Sequence, residues 1–171
     1  ACEAWQVLSP VRGGAPGVGE LNRMIQRQFR TKAIEYAKVT GFGRRTPKPM
    51  GPEGIVYGDK VINVANHRRK HVYPDSIGNG TDSVEALRYI ANGEIGMAVG
   101  FFWRKGLPDL RWKIEVEFSS QPGFKYDFTS KKDFAEEGNA VLELAYALTV
   151  HKSQGSEFGT VILVLPNPCR L

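Results

Sequence analysis

Two nearly unbroken apolar runs, VLELAYALTV at 141–150 and TVILVLP at 160–166, constrain this chain more than any other feature. Between them lies HKSQGSEFG, a short connection that is polar except for its phenylalanine. A strand with one wet face alternates apolar and polar residues, and these runs alternate too little. Each is therefore predicted to lie in a sheet covered on both faces, as parallel strands packed between helices do. The polar connection then falls at the end of a strand, where open α/β sheets bind their ligands.

The amino-terminal part reads the same way. WQVLSPV (5–11) is a short apolar run ended by Pro10, and the glycine-rich RGGAPGVG (12–19) follows, which predicts a buried strand feeding a loop. In ELNRMIQRQFRTKAIEYAKV (20–39), Leu21, Met24, Ile25 and Phe29 recur at helical spacing and are predicted to face a core. Arg23, Arg27 and Arg30 fall largely elsewhere on the cylinder, as a solvated face or as a nucleic-acid contact. GFGRRTPKPMGPEG (41–54), with four glycines and three prolines, continues neither element and reads as a linker.

Beyond it the periodicity changes. GDKVINVAN (58–66), GEIGMAVGFFW (93–103) and RWKIEVEFSSQ (111–121) are strand-like, and Ile114, Val116 and Phe118 alternate with Lys113, Glu115 and Glu117. KGLPDL (105–110) supplies a turn. Several short strands joined by turns predict a small antiparallel barrel or sandwich. Residues 66–92 interrupt it with the basic HRRKH (67–71), a solvated loop or a nucleic-acid contact, and with DSVEALRYIA (82–91), where Val84, Leu87 and Ile90 suit one face of a short helix.

Charge and cysteines narrow the class. A net charge of +5 leans toward an anionic partner and equally suits plain solubility. Cys2 and Cys169 stand near opposite ends without paired spacing, which suggests neither a metal knuckle nor a disulfide framework and fits a reducing, cytoplasmic setting. No stretch approaches the roughly 18 apolar residues of a membrane span, and the first residues form no signal segment. Tyr146, Trp103 and Trp112 have the rings to stack on bases, but as aromatic residues in strands they are expected in the core.

The polar connection suits phosphate. Thr149, Ser153 and Ser156 offer hydroxyls, Lys152 and His151 offer charge, and Gly155 leaves a backbone N–H open to an oxygen. Glu157 repels a phosphate and suits a ribose hydroxyl or a neighbouring cation. The plainer reading is a polar loop capping a buried strand.

LAYALTVHKSQGSEFGTVILVLP (144–166) resembles motif V of superfamily 1 helicases in the form of the RecD-like branch. VLSPVRGGAPGVGELNRMIQ (7–26) resembles the opening strand, turn and helix of that family's second RecA-like motor domain, around motif IV. YGDKVINVAN and NGEIG resemble the two strand signatures of the SH3-like barrel inserted there. The fold implied is α/β: a partial RecA-like, P-loop NTPase-type parallel sheet, split over 1–51 and 138–171, with a small antiparallel SH3-like β-barrel inserted at 52–137.

By the same resemblance Thr149, His151, Lys152 and Ser153 contact single-stranded DNA. Gly155, Ser156 and Glu157 face the nucleotide, Arg12 approaches its γ-phosphate, and Gln154 couples the two. The cofactors implied are ATP and Mg²⁺ in a complete protein, and the partners are single-stranded DNA, an N-terminal motor domain of the same protein and nuclease subunits.

The departures are equally specific. No G-x-x-x-x-G-K-[ST] occurs, and GIVYGDK (54–60) has Asp59 after its second glycine. No acidic pair closes an apolar strand to hold Mg²⁺, and NPCRL (167–171) precedes any motif VI arginine. Phosphoryl transfer needs the P-loop, the metal and that arginine together. These residues alone are therefore expected neither to hydrolyse ATP nor to unwind DNA. The alternative function is a non-enzymatic module of a nuclease–helicase complex that binds single strands or protein.

Overall fold

The computed structural model describes residues 2–38, 48–78, 83–103, 112–134 and 140–167. The predicted turn at 105–110, most of the predicted linker and Cys169 lie outside these, as do the side chains of Trp103 and Trp112.

The elements run β1 (Trp5–Ser9), α1 (Val18–Lys38), β2 (Lys60–Asn63), β3 (His67–Arg68), β4 (Val72–Tyr73), β5 (Ser76–Ile77), β6 (Val84–Glu85), β7 (Tyr89–Ile90), β8 (Ile95–Trp103), β9 (Trp112–Phe118), β10 (Lys125–Thr129), α2 (Ser130–Asp133), β11 (Leu142–Leu144), β12 (Ala147–Thr149) and β13 (Thr160–Leu163). They form a three-stranded sheet β12-β1-β13, a six-stranded sheet β11-β2-β8-β9-β10-β4 and two small pairs, β3-β7 and β5-β6. The first sheet is parallel, with Leu8 opposite both Leu148 and Leu163. The ladders of the six-stranded sheet are antiparallel.

The alternation in RWKIEVEFSSQ does what its period requires. Ile114, Val116 and Phe118 are fully buried, against Tyr126 and Phe128 of β10. Phe118 meets Tyr126 edge-on, with ring centroids 5.7 Å apart. On the outer face Lys113 pairs with Asp127 at 2.7 Å. Gly96 lets β8 approach β9 closely, since a Cβ there would sit 2.5 Å from the Glu117 carbonyl oxygen.

Four expectations are corrected. VLELAYALTV is not one strand: Leu142–Leu144 pairs antiparallel with β2, and Ala147–Thr149 pairs parallel with β1. The run is apolar because it passes between two sheets. TVILVLP is not covered on both faces: β13 is an edge strand, and Val161, Ile162 and Leu163 are about half exposed (49%, 52%, 54%). DSVEALRYIA forms β6 and β7 instead of a helix, with only Ile90 of its apolar residues fully buried. On α1, Leu21 is buried and Ile25 half-buried, but Met24 and Phe29 point outward. Beside Leu21 and Ile25, which pack on Val7 and Ala147, the inner side of α1 carries Asn22, Gln26 and Arg30, because there it meets backbone and a buried carboxylate.

The two sheets share a joint. Ile62 of β2 packs with Ile95, Ala145 and Leu148, while its neighbour Val61 faces the other core. The backbone of residues 144–147 crosses here with its polar groups satisfied by side chains. Glu53 accepts the Leu144 N–H, Asn22 donates to the Leu144 carbonyl at 3.0 Å, and Gln6 donates to the carbonyls of Ala145 and Tyr146, both at 3.1 Å. Buried backbone has to be paired, and these side chains add to the strand bonds that the Ala145 N–H makes to the Lys60 carbonyl at 2.8 Å and the Tyr146 carbonyl accepts from the Val7 N–H at 3.3 Å.

Lys60 ties β2 to β1. Its Nζ donates to the Trp5 carbonyl at 2.8 Å and to Gln6 Oε1 at 2.7 Å, with the rings of Trp5 and Phe158 5.2 and 5.7 Å away. Burial pushes this amine down to about 8 from 10.5. Between those values the unfolded chain binds more protons, so Lys60 makes stability rise with pH through that window. Burial likewise pushes Tyr126 up to about 12 from 10.0, and above pH 10 stability falls as unfolded tyrosines ionise. Denaturant titrations across pH 7.5 to 11 should show this rise and fall, with the rise missing in Lys60→Met.

Candidate functional site

The site begins where β12 leaves the carboxyl end of the parallel sheet. Thr149 Oγ1 accepts the Lys152 N–H at 3.2 Å, the Thr149 carbonyl accepts the Ser153 N–H at 3.2 Å, and Ser153 Oγ donates to the Val150 carbonyl at 2.8 Å. These bonds close one tight turn over 149–153. The Ser156 N–H continues it onto the Ser153 carbonyl at 3.1 Å. Gly155 has φ +81°, and the space a Cβ would occupy is open, so glycine is needed for conformation rather than for clearance. The connection leaves β12 at the level of Ser9 and enters β13, on the far side of β1, at the level of Trp5, so it runs back along the length of the central strand.

His151, Gln154, Gly155 and Glu157 are exposed, Lys152 and Ser156 half-buried, and Thr149 and Ser153 buried. Lys152 Nζ is paired with Glu143 Oε2 at 2.6 Å. Arg12, exposed in the loop after β1, comes to the same place. A cavity of about 870 Å³ is lined by Arg12, His151, Lys152, Gln154, Ser156 and Glu157, with Gly155 among them. Its opposite wall comes from the antiparallel sheet, with Glu94, Ser119 and Ser120. A smaller cavity of about 250 Å³ lies against Arg12, Lys152, Thr149, Asn22 and Glu53. Seven of the nine residues singled out from the sequence therefore face one cavity, Thr149 opens on its neighbour, and Ser153 lines neither of the two.

The chemistry is mixed in charge. Arg12, Lys152 and His151 supply positive and hydrogen-bonding groups, while Glu3, Glu94, Glu143 and Glu157 line the same space. The Glu53 carboxyl, beside the smaller cavity, is pushed up by burial, which outweighs the backbone N–H it accepts and nearby Lys152. Glu143, Glu53 and Asn22 were missed as contributors. Glu143 was legible as the lone charge inside VLELAYALTV. Glu53 and Asn22 carried no such signal, because what they hold lies 91 and 122 residues along the chain.

A parallel strand end, a glycine turn and converging cations thus meet at one place, and the comparisons match this stretch. The family model described as the UvrD-like helicase C-terminal domain matches residues 144–171, which hold β12, the turn and β13. Over 162 residues, 95% of this chain, the sequence is 28% identical to the ATP-dependent RecD2 DNA helicase of Deinococcus radiodurans. It is 29% identical over 114 residues, 63% of this chain, to an uncharacterized protein of Methanocaldococcus jannaschii. The chain spans 16% of the first relative and 8% of the second. The resemblance to the C-terminal part of a RecD-like helicase thus holds along nearly the whole chain.

Proposed function

We propose that this chain is the C-terminal motor portion of an ATP-dependent DNA helicase, RecD-like and moving 5′ to 3′, in which the 149–157 turn touches both single-stranded DNA and nucleotide. The single observation that supports this is the convergence of Arg12 with His151, Lys152, Gln154, Ser156 and Glu157 on one open cavity at a parallel strand end. In this reading residues 1–51 and 138–171 belong to a RecA-like domain, except that β11 (Leu142–Leu144) joins the antiparallel strands of 52–137, which form an inserted SH3-like barrel.

The residues present fit a nucleotide's polar edge. The exposed turn at Gly155 leaves backbone accessible, Ser156 offers a hydroxyl, and Glu157 is free to accept from a ribose hydroxyl. They do not fit a metal, since no group of three or more His, Cys, Asp or Glu among the described residues is arranged to hold one. Mg²⁺ therefore belongs, in this proposal, with the triphosphate on a second lobe. The bound nucleotide would close the cleft between the two lobes, and its hydrolysis would let the cleft reopen. This chain's contribution is to hold the DNA backbone through His151 and Thr149, and to pass a shift of the turn across Gln154.

Of the two grips, Lys152 and Ser153 are the weaker, because Glu143 and the Val150 carbonyl already occupy them. His151 is exposed and is the better DNA contact. In the complete protein, His151→Ala is expected to lower DNA-stimulated ATPase activity more than basal activity. Equal loss of both would move His151 to the nucleotide side. No helix among the described residues is long and apolar enough to cross a membrane.

A further inference from the structure

The connection at 66–92 lies between the two strand signatures that carry the barrel resemblance, and the motor reading gives it no work. Its described residues, 66–78 and 83–92, are nevertheless held by specific contacts. Asn63 Nδ2 donates to the carbonyls of Ala65 at 2.6 Å and Ala91 at 2.7 Å, which pins its two ends together. The Arg69 N–H donates to the Arg88 carbonyl at 2.7 Å, and Tyr126 OH donates to the Leu87 carbonyl at 2.9 Å. Within HRRKH the residues divide sharply. Arg69 turns inward, its guanidinium 3.7 Å from the centre of the Phe128 ring and paired with Asp133 at 2.7 Å. Arg68, Lys70 and His71 are left exposed.

Strand register extends this exposed set into a band. Arg68 stands opposite Tyr89 across β3 and β7, and Tyr73 stands opposite Lys125 across β4 and β10. The inward members of the same pairs, Ile90 and Val72 with Tyr126, are buried, so the alternation of a strand sends the others outward. Tyr73 is 69% and Tyr89 45% exposed. Neither Arg68 nor Lys70 makes an ion pair among the described residues. Arg88, by contrast, is offset by Asp75 at 2.7 Å, and Lys125 lies across from Glu117. From Arg68 to Tyr73 the chain spans about 16 Å if extended, room for several successive phosphates.

We propose that Arg68, Lys70, His71, Tyr73 and Tyr89 form a second binding surface for single-stranded nucleic acid, separate from the 149–157 turn. Unpaired cations attract the phosphates, and ring faces without other work accept bases by stacking. A single strand fits better than a duplex, because stacking on two exposed tyrosines needs unpaired bases. Arg69 and Asn63 act as positioning residues that hold the band rigid, which lowers the ordering cost of binding.

The test is fluorescence anisotropy of a labelled twenty-residue oligothymidylate with the 171-residue chain over a range of salt concentrations. Arg68→Gln with Lys70→Gln should weaken binding at least tenfold and flatten the logarithmic salt slope by about 1.4, the value for two lost phosphate contacts on a single strand. Tyr73→Ala and Tyr89→Ala should each weaken binding roughly tenfold and leave the slope unchanged. Thermal unfolding of these surface variants should match that of the parent, which separates loss of contact from loss of fold. His151→Ala should retain the band's contribution. Binding indifferent to the band variants, binding abolished by His151→Ala alone, or capture of polyglutamate in place of the oligonucleotide would each overturn the proposal. The first two place the strand elsewhere, and the third makes the partner an acidic protein. None of these outcomes depends on ATP, so the motor reading stands or falls separately.

Discussion

Replacing Asp59 with alanine is expected to cost about 3–5 kcal/mol, a large fraction of the stability of a domain this size. The Asp59 carboxylate is fully buried where α1, the start of β2 and the sheet-to-sheet bend meet. Oδ2 accepts from Gln26 Nε2 at 2.6 Å and from the Val56 N–H at 2.7 Å. Oδ1 accepts from Tyr146 OH at 2.8 Å, and Arg30 Nε lies 4.0 Å away while donating to the same tyrosine at 3.2 Å. Each of these neighbours donates, so an acceptor-only group is required. Alanine would leave these donors without their acceptor in a dry joint, and leaving donors unpaired costs more than the pairs gain on forming.

Asparagine separates the contributions. It preserves shape but turns an N–H₂ toward donors, so Asp59→Asn should lose about 1–3 kcal/mol. Its pH dependence should differ too. Burial raises the Asp59 pKa above 3.8 even though Val56, Gln26 and Tyr146 oppose the rise. A raised folded pKa gives stability that is present below 3.8 and lost as pH rises through the folded value, so Asn should abolish that acid-side loss. Denaturant unfolding at pH 3, 5 and 7 is the measurement. An unchanged midpoint in Asp59→Ala would mean that water, not the joint, satisfies these donors.

What was legible in the sequence follows from the range of the interactions that decide each element. The alternation of Ile114, Val116 and Phe118 and the apolar run around Val7 report burial by neighbours in the same or an adjacent strand, and these segments fold as their periodicity implies. The polar turn at 149–157 was legible for the same reason, since local bonds from Thr149 and Ser153 build it. Gln6, Asn22 and Asp59 were not, because each is a polar residue inside an apolar or helical pattern whose partner is backbone or a side chain far along the chain. Gln6 meets Ala145 across 139 residues, and Asp59 meets Tyr146 across 87. Periodicity sees such residues as interruptions of a stripe. β13 fails in the opposite sense: its apolarity predicts a cover that no described element supplies. The helical spacing in DSVEALRYIA yields to strand pairing because β6 and β7 each find a partner, β5 and β3.

Asn22 carries the second large effect, because it holds the strand that delivers the site. Its Nδ2 donates to the carbonyls of Leu144 at 3.0 Å and Ala147 at 3.1 Å, and its Oδ1 accepts the Ala147 N–H at 2.8 Å. Asn22→Ala strips three buried backbone groups of their partner at once. At about 1–3 kcal/mol for each orphan the loss would be severe, but the adjoining cavity of about 250 Å³ is polar enough to admit water, so about 3 kcal/mol is expected. The effect should also be local. Ala147 begins β12, and Thr149 follows two residues later, so a loosened bend displaces the turn from Arg12 even in molecules that stay folded. Amide exchange at Ala147 should accelerate at least tenfold in Asn22→Ala, while exchange at Val116, deep in the antiparallel sheet, tracks only the global loss. Asn22→Asp keeps the acceptor for Ala147 N–H and loses both donors, so it should protect that amide while still destabilising the chain. Uniform acceleration at both amides would assign Asn22 to global stability alone and remove it from the support of the site.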